Sequence, residues 1–472
     1  MIDAVVVGSG PNGLAAAVRL ARAGHTVEVL EAEDTIGGGT RTEELTLPGV
    51  LHDVCSAAHP FAVSSPYLRT LPLAEHGLAW CHPELDVVHP LAGGRAAVLT
   101  RSIDDTARGL GADERTWRRT FSRISAHFDD LLDDVMGPIQ HVPHHPIGLA
   151  AFGTRALLPA TWLARRFATD EARALLGGVA AHAFQPLTLP TTGAIGLSLV
   201  AAAHAVGWPV ARGGSRSITD ALASLLRAEG GTITTGVRVG SLRELPPHRV
   251  ALLDVSPRAA RSLAGDVLPP RVRRAFARYR YGPAAYKVDL AVEGEVPWLA
   301  EPARRAGTVH LGGSFEEVVA AAADVHRGRL PERPFVLVGQ QHLADPTRSH
   351  DTINPLWAYA HVPAGYPDDA TDAVLDRIEQ FAPGFRDRVV AVAVRDPSSL
   401  EAHNPNYVGG DISTGANDPR QLLFRPRLAW DPYATGIPGT FLCSAATPPG
   451  GGVHGMAGFH AAGRALKHLG HA

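Results

Sequence analysis

The sequence predicts an α/β protein with more than one lobe, and three observations support this. The chain has 472 residues, about three times the ~150 residues of a typical domain. Hydrophobic residues make up 45% of it and charged residues 19%, which is enough to bury a large core. The N-terminal segment runs from a short apolar strand through a glycine-rich turn into a helix and a second strand, the order that builds a parallel sheet.

Composition excludes several classes of protein. Lys and Arg together number 44, and Asp and Glu 47, so no basic excess points to nucleic acid as a partner. The three cysteines, Cys55, Cys81 and Cys443, are too few for a disulfide framework and lack the C-x-x-C spacing of a structural zinc site. No basic region precedes the first apolar run, and we expect a cytoplasmic protein.

The strongest motif is the glycine-rich turn that follows the first strand, Ala4–Val7. Gly8 permits a tight turn, Gly10 lets the backbone approach a pyrophosphate, and Gly13 lets the next helix pack closely on the strand. The start of that helix, Leu14–Ala23, presents free N–H groups and a partial positive charge to phosphates. Strand, turn and helix in this order predict a dinucleotide site.

An acidic residue completes the dinucleotide motif. Glu31 stands at the end of the second strand, Thr26–Leu30. A carboxylate there accepts hydrogen bonds from the ribose hydroxyls of adenosine and repels a 2′-phosphate. The residues assigned to this site are Gly8, Gly10, Pro11, Asn12, Gly13, Glu31 and Ala32.

A second glycine cluster follows the acidic residue, in Ile36-Gly37-Gly38-Gly39-Thr40-Arg41-Thr42. Its position suits a long cofactor whose pyrophosphate and isoalloxazine extend past the first turn, which indicates FAD rather than NAD. For Arg41 the alternative is a solvated loop residue. No second G-x-G-x-x-G motif with its own strand and terminal acid occurs, so one dinucleotide is expected. The candidate contacts are Gly38, Gly39, Arg41 and Thr42.

A third glycine-rich segment lies near the C-terminus, between a predicted strand, Thr440–Cys443, and a predicted helix, Met456–Leu469. Such a turn can place backbone N–H groups beside the flavin N1–C2=O edge, where they stabilise the charge that forms as the ring accepts a hydride. The alternative is a turn that serves packing alone. The candidate contacts are Ser444, Gly451, Gly452, Val453 and Met456.

These glycine segments together resemble the phytoene dehydrogenase-like branch of FAD-dependent oxidoreductases, which is distantly related to the flavin amine oxidases. The likeness extends through Pro209–Ser215, the helix Ser217–Ala228, the strand Thr234–Val239 and the segment Leu356–Pro363, so it covers nearly the whole chain. It implies that the backbone of Val237 contacts the adenine.

The resemblance also implies an α/β architecture in which a Rossmann-type FAD-binding lobe is interleaved with a substrate lobe. The FAD-binding lobe is expected from residues 1–80, 205–265 and 405–472. The substrate lobe, with a mixed sheet and a helical cap, is expected from residues 81–204 and 266–404.

Patterns inside the two substrate segments predict both sheet and helix. A helix is predicted over Glu114–Leu132, and strands over Ala285–Val292, Phe335–Gly339 and Trp357–His361. The stretch Ala174–Ala211 contains no Asp, Glu, Lys or Arg. The longest largely apolar part of this stretch, 191–206, is shorter than the ~20 residues of a membrane span. We therefore expect a buried helix that lines an apolar cavity.

Two residues are candidates for catalysis. Lys287 matches the position where the resemblance to flavin amine oxidases places a lysine that holds a water at flavin N5. The alternative is a strand lysine that pairs with an acid or reaches solvent. His454, beside the C-terminal glycines, can bond the flavin or act near neutral pH; the alternative is a capping or packing group.

Further polar residues are assigned to the substrate pocket or set aside. His59 belongs to a segment that the family places near the flavin ring. Trp357, Tyr359 and His361 are pocket candidates, with half-buried strand positions as the alternative. Asp53 is either a base or a structural hydrogen-bonding group.

A group of histidines raises the question of a metal. His141, His144 and His145 lie close together in the sequence, but no carboxylate has ligand-like spacing. A surface loop without a metal is therefore predicted.

We expect an FAD-dependent dehydrogenase or oxidase that moves a hydride from a small, largely apolar substrate to flavin N5, with oxygen or a quinone as electron acceptor. Three hypotheses stay open: desaturation of a C–C bond in a polyene or lipid-like molecule, oxidation of a C–N or C–O bond, and a flavin-retaining scaffold or chaperone without turnover. A long apolar tunnel near residues 174–207 would favour the first, and an aromatic cage the second. A peripheral membrane contact also stays open, and the sequence does not predict the oligomeric state.

Overall fold

A computed structural model describes residues 2–470, which form two large sheets with helices packed around them. The strands are β1 (Ile2–Val7), β2 (Val27–Leu30), β3 (Thr42–Glu43), β4 (His52–Asp53), β5 (Trp80–Cys81), β6 (Leu85–Pro90), β7 (Ala96–Leu99), β8 (Val210–Ala211), β9 (Thr232–Thr234), β10 (His248–Leu253), β11 (Ala284–Glu293), β12 (Ala306–Leu311), β13 (Val336–Gly339), β14 (Ile353–Val362), β15 (Val389–Arg395) and β16 (Thr440–Leu442). The helices are α1 (Pro11–Arg22), α2 (Pro60–Val63), α3 (Ile103–Gly109), α4 (Glu114–Ala126), α5 (Phe128–Val135), α6 (Pro146–Ala156), α7 (Ala160–Ala164), α8 (Asp170–Ala180), α9 (Thr192–Val206), α10 (Arg216–Ala228), α11 (Pro257–Ala264), α12 (Pro270–Ala277), α13 (Phe315–His326), α14 (Thr371–Phe381), α15 (Pro397–His403), α16 (Pro419–Leu423) and α17 (Met456–Leu469).

The first large sheet is parallel, in the order β16-β10-β1-β2-β9. Its central strand β1 is apolar and mostly buried, because helices cover the sheet. Val7 of β1 lies in register with Leu30 of β2 and with Leu253 of β10. The residues that follow these three strands therefore meet at one edge of the sheet.

The second large sheet is mixed, in the order β15-β11-β14-β13-β12-β6-β7. Only β6 and β12 pair in parallel; the other neighbours are antiparallel. Every strand of this sheet falls in residues 81–204 or 266–404, and every strand of the parallel sheet falls in the other three segments. The predicted fold class is confirmed; the exact lobe boundaries stay a prediction.

Several predicted elements have shifted ends, as in α1, which begins at Pro11 rather than Leu14, and three predicted segments are broken, shortened or divided. The helix predicted over Glu114–Leu132 is interrupted at His127, whose φ of −115° separates α4 from α5. The strand predicted over Thr234–Val239 ends at its first residue, because Gly236 turns the chain with a φ of 70°. The uncharged stretch Ala174–Ala211 contains two helices, α9 and most of α8, rather than one.

The helical cap buries its apolar surface within the protein. Much of α8 and α9 is fully buried and belongs to the largest hydrophobic cluster, which also includes α1, α10 and α17. Within residues 2–470, we find no helix with the length and apolar character needed to cross a bilayer.

A buried ion pair connects the two lobes. Asp53 of β4 accepts hydrogen bonds from the Thr42 hydroxyl at 2.8 Å and the Ser215 amide at 2.7 Å, and it pairs with Arg348 of the substrate lobe. Burial acts to raise the pKa of Asp53, but the Arg348 guanidinium and these donors lower it overall. Asp53 is thus an ionised structural group.

Candidate active site

The turn after β1 depends on close backbone contact. Gly8 has a φ of 100°, and a Cβ on Gly13 would lie 2.2 Å from the Gly8 carbonyl oxygen. α1 begins at Pro11, which has no N–H to leave unpaired. The Asn12 Oδ1 atom beside it is buried without a hydrogen-bond partner. The Asn12 oxygen can accept a hydrogen bond from a bound molecule, and the free backbone N–H groups at the start of α1 suit the phosphates of a nucleotide cofactor.

Asp254, directly after β10, is a site residue that sequence reasoning missed. Its Oδ2 atom accepts a hydrogen bond from the Gly13 amide at 2.9 Å, and a Cβ on Gly10 would lie 2.7 Å from the same oxygen. Burial raises the pKa of Asp254 to about 7, against the effect of the Gly13 hydrogen bond, and Glu31 adds to the rise. The sequence did contain a signal for Asp254: it follows the apolar run of β10, just as Glu31 follows the apolar run of β2.

Glu31 is held in place by neighbouring donors. Its Oε2 atom accepts hydrogen bonds from the Ser9 amide at 2.9 Å and the Ser9 hydroxyl at 2.5 Å. Its Oε1 atom accepts one from the Glu33 amide at 3.0 Å and lies 3.4 Å from Arg41. The Val237 amide donates to the Glu31 carbonyl oxygen at 2.8 Å, which places the segment predicted to contact the adenine against the end of β2.

The second glycine cluster packs against the first turn. Gly38 has a φ of 55°, and its Cβ would lie 3.2 Å from the Gly10 Cα atom. A Cβ on Gly39 would lie 2.0 Å from the Tyr407 hydroxyl. Arg41 is buried and donates to the Thr35 carbonyl oxygen at 2.8 Å. This cluster lets two stretches of backbone meet without side chains between them.

The C-terminal glycine turn lies beside the N-terminal one, because α1 and α17 cross in contact. A Cβ on Gly458 would lie 1.8 Å from the Asn12 carbonyl oxygen, and one on Gly455 would lie 2.9 Å from the Ala15 Cβ atom. The two glycine segments, which sequence assigned to opposite ends of one cofactor, are thus neighbours in the fold.

His454 closes this turn through both ring nitrogens. Its Nε2 atom lies 3.2 Å from the Gly450 carbonyl oxygen, and its Nδ1 atom accepts the Met456 amide proton at 3.1 Å. Burial lowers the pKa of His454 to about 4. Both nitrogens are used by the backbone, which matches the capping alternative more closely than contact with a flavin.

One cavity of about 1410 Å³ runs along all three glycine segments. Most of the predicted cofactor contacts line it, whereas Gly13, Thr42 and Met456 lie behind its wall. The lining residues among the predicted cofactor contacts are Gly8, Gly10, Pro11, Asn12, Glu31, Ala32, Gly38, Gly39, Arg41, Val237, Ser444, Gly451, Gly452 and Val453.

The same cavity continues across one face of the mixed sheet. Leu337 pairs with Tyr359, and Gly339 with Trp357, so these residues share a face. They line the cavity together with Thr308 of β12. Opposite them, four apolar residues from the helical cap and the segment directly after it complete a wall: Phe184, Ile195, Leu199 and Trp208.

Two predicted pocket histidines occupy different positions. His59 lines the cavity, its Nε2 atom lies 2.7 Å from the Ser215 hydroxyl, and burial lowers its pKa to about 4. His361 shares the cavity face of β14 but lies behind the wall, with its ring centroid 3.9 Å from that of Phe184. Burial lowers the pKa of His361 to about 3. Both rings are therefore neutral at pH 7.

Lys287 lies beside the aromatic wall, on the same face of the mixed sheet as Tyr359, with which it is in register. It pairs with Asp289 two residues along β11, and its ammonium is 5.5 Å from the Trp357 ring centroid. Burial lowers the pKa of Lys287, while Asp289 opposes that shift. The nearest further partner of Asp289 is His52, whose Nδ1 atom is 3.5 Å away. Lys287 thus supports a cavity residue without lining the cavity.

Comparison with known proteins adds to this geometry. Residues 6–72 match the model of an NAD(P)-binding Rossmann-like domain. The rat pyridine nucleotide-disulfide oxidoreductase domain-containing protein 2 is 26% identical, over 98% of this chain and 92% of its own length. Hydroxyneurosporene desaturase of Cereibacter sphaeroides is 26% identical over 98% and 97%, and hydroxysqualene dehydroxylase of Rhodopseudomonas palustris is 30% identical over 65% and 75%.

Solved structures share the fold. An oxidoreductase from Methanosarcina mazei superposes with a TM-score of 0.64 at 15% identity, over 99% of this chain and all of that one. Putrescine oxidase bound to putrescine gives a TM-score of 0.63 at 18% identity, over 99% and 98%.

Fold, cavity and relatives together define a class: this protein is a flavin-type oxidoreductase whose cavity takes a flavin or nucleotide cofactor. Within that class, the chain belongs to the phytoene dehydrogenase-like family. The resemblance drawn from the glycine segments is confirmed.

Proposed function

We propose that this chain is an FAD-dependent dehydrogenase that desaturates a C–C bond of a largely apolar, lipid-like substrate. The main support for this proposal is the cavity of about 1410 Å³. Its volume exceeds the ~300–1,000 Å³ of ordinary ligand pockets, so it can hold a dinucleotide and a substrate together. Bound FAD would supply the hydride acceptor at its N5 atom. The substrate would lose a hydride to that acceptor and a proton to water, and the reduced cofactor would pass the two electrons to oxygen or a quinone.

The substrate end of the cavity favours an apolar molecule. Its walls are mainly aliphatic and aromatic, with His182, Ser198, Thr308 and Gln341 as the polar residues among them. Among the described residues that line the cavity, the acidic ones are Glu31, Glu33, Asp254 and Asp266. None of these four belongs to the mixed sheet or to α8 and α9, so an ammonium substrate lacks a carboxylate partner there. This favours C–C desaturation over C–N oxidation.

The relatives support the same choice. One relative, matched over 98% of this chain, is named a desaturase. A second, matched over 65% of this chain, is named a hydroxysqualene dehydroxylase, which supports a lipid-like substrate but not the desaturation itself. Three free cysteines within residues 2–470 agree with a reducing compartment.

Anaerobic bleaching of the bound flavin tests the proposal. Polyenes, primary amines and alcohols of similar size are each mixed with the purified protein, and flavin absorbance is followed. We expect a polyene to bleach the flavin. Bleaching by amines or alcohols alone would instead support C–N or C–O oxidation, and a flavin that no compound bleaches would support the scaffold hypothesis.

A substitution in the cavity wall shows whether a polyene that bleaches the flavin reacts from within this cavity. Leu199→Trp fills the apolar end of the cavity and should slow bleaching by the active polyene at least tenfold. Leu428 is 73% exposed and lies outside this cavity, so Leu428→Trp, the same substitution, should leave the rate unchanged. Equal rates in both variants would place the substrate elsewhere.

We also propose that residues 139–162 of the cap contact a membrane surface from which such a substrate enters. Val142 is 87% exposed, Ile147 75% and Trp162 56%; exposed apolar side chains that together form a large patch mark interaction surfaces. The Arg165 guanidinium lies 5.9 Å from the Trp162 ring centroid and adds a positive charge that anionic lipids attract.

Co-sedimentation with anionic phosphatidylglycerol vesicles tests this contact. Val142→Ser with Ile147→Ser should reduce the bound fraction severalfold. The matched control, Val267→Ser with Leu428→Ser, removes two other exposed apolar side chains and should not change it. An equal loss in both variants, or no binding by the unaltered protein, would contradict the contact.

A further inference from the structure

A carboxylate and two imidazoles converge outside the active cavity, at the end of α5. Asp134, in the last turn of that helix, is buried. Its Oδ1 atom accepts a hydrogen bond from the His144 amide at 2.7 Å, and its Oδ2 atom accepts one from the His145 amide at 2.9 Å. These bonds fold residues 137–145 back over the helix and bring the His141 and His144 rings to the same carboxylate.

The tautomer of His141 follows from one hydrogen bond. Its Nδ1 atom lies 2.8 Å from the Pro138 carbonyl oxygen, and a carbonyl can only accept, so Nδ1 carries the proton. In the neutral ring the Nε2 atom then offers a lone pair. That lone pair faces Asp134 Oδ1 at 3.4 Å. Two electron-pair donors in this position repel each other unless a proton or a metal ion lies between them.

The spacing matches ligand atoms of one metal ion. His144 Nδ1 lies 3.6 Å from the same Asp134 oxygen, and all three donor atoms lie within 4.8 Å of one another. Hydrogen bonds of this kind are usually ~2.7–3.2 Å long. Bonds of ~2.0–2.2 Å in a tetrahedral zinc site place neighbouring ligand atoms roughly 3.3 Å apart.

We propose that Asp134, His141 and His144 bind a divalent transition-metal ion of the zinc class. Two imidazole nitrogens and one carboxylate oxygen suit such an ion, whereas Mg²⁺ and Ca²⁺ prefer all-oxygen sites. The His141 Nδ1–H bond to a backbone carbonyl is the usual device that orients a metal-binding histidine. The His144 side chain is 69% exposed, so water completes the coordination.

The carboxylate was missed in the sequence because it lies on the preceding helix. The expectation of a metal-free loop rested on the absence of a carboxylate with ligand-like spacing, and the fold supplies Asp134. The His144 and His145 amides donate hydrogen bonds to the two Asp134 oxygens, an arrangement that suits a carboxylate. A bound ion would fix the loop that presents Ile139 and Val142 to solvent.

Zinc titration of the full-length, untagged protein tests the site, after chelator treatment and dialysis. We expect one Zn²⁺ per chain by calorimetry, and with Co²⁺ the visible absorption of a tetrahedral complex beyond the flavin bands. His141→Ala and His144→Ala should each weaken binding at least tenfold and abolish the Co²⁺ absorption. His326 is exposed on α13, far along the chain, so His326→Ala serves as the control and should bind as the unaltered protein does.

Two results would overturn the proposal. One is no stoichiometric Zn²⁺ binding by the unaltered protein; the other is equal affinity in the unaltered protein and both histidine variants. Thermal unfolding and flavin content of each variant are measured in parallel. A variant that unfolds is replaced by His144→Gln, whose exposed position tolerates the change. Flavin reduction is not part of the readout, so this test stands apart from the proposed reaction.

Discussion

At the scale of single residues, the first turn requires glycine because a neighbouring side chain leaves no room for a Cβ atom, in addition to any requirement of a cofactor. A Cβ atom added to Gly10 would lie 2.7 Å from Asp254 Oδ2, and one added to Gly13 would lie 3.0 Å from the same oxygen. The fingerprint could be predicted from sequence because the turn, helix and acid follow one another directly. Asp254 could not be assigned with the same ease, since only the fold brings β10 beside β1.

Lys287 gives a test at the residue scale. Lys287→Met leaves Asp289 buried with little compensation, and should reduce the free energy of unfolding by about 3–5 kcal/mol. Asp289→Leu added to that variant should recover most of the loss. Urea unfolding of both variants measures this.

The same pair of variants decides whether Lys287 has more than a structural role. If it positions Trp357 for the reaction, the stable double variant should retain its flavin yet reduce it several times more slowly in anaerobic stopped flow. Normal reduction and reoxidation rates in the double variant would make Lys287 a structural residue only.

At the scale of elements, the site depends on the crossing of α1 and α17. Both helices were predicted from sequence, and the predicted bounds of α17 match the structure. Their contact could not be predicted, because it joins residues that lie at opposite ends of the chain. The break between α4 and α5 was missed for a different, local reason: the 3.6-residue periodicity continues through His127, and only the backbone conformation of His127 ends the helix.

Gly458→Ala tests that crossing. The added Cβ meets the Asn12 carbonyl oxygen, so we expect a loss of about 1–3 kcal/mol in the free energy of unfolding and weaker cofactor retention. Gly153, in α6, has open space around its Cβ position. Gly153→Ala should therefore be neutral or add up to about 1 kcal/mol. Equal effects of the two substitutions would show that α1 and α17 do not need this close approach.

At the scale of the whole molecule, buried histidines should make the protein sensitive to acid. Burial lowers the pKa of eleven histidines below the ordinary 6.5. Below pH 6.5 the unfolded chain therefore binds more protons at these histidines than the folded chain does. They are His59, His82, His89, His182, His204, His310, His342, His361, His403, His454 and His460.

The sign of this effect is fixed by linkage. A group with a depressed folded pKa contributes stability above its unfolded pKa and loses it as pH falls. Stability should thus fall steeply between pH 6.5 and about 4, where most of these folded pKa values lie. Asp254, with a pKa raised to about 7, acts in the opposite direction and offsets only part of the loss. Urea unfolding at pH 7.5, 6 and 5 measures the slope; a flat profile would contradict the buried, neutral state of these rings.

The central claim is that one FAD spans the N-terminal and C-terminal glycine turns. Its most direct test is the FAD content per folded chain in Gly10→Val and Gly451→Val, with Gly109→Val as control. A Cβ at Gly10 meets Asp254 Oδ2 and one at Gly451 meets the Ser413 carbonyl oxygen at 2.9 Å, while Gly109 has open space. We expect one FAD per chain in the unaltered protein and the control, and little in either turn variant. Full FAD content in both turn variants, or an unaltered protein without FAD, would contradict the account.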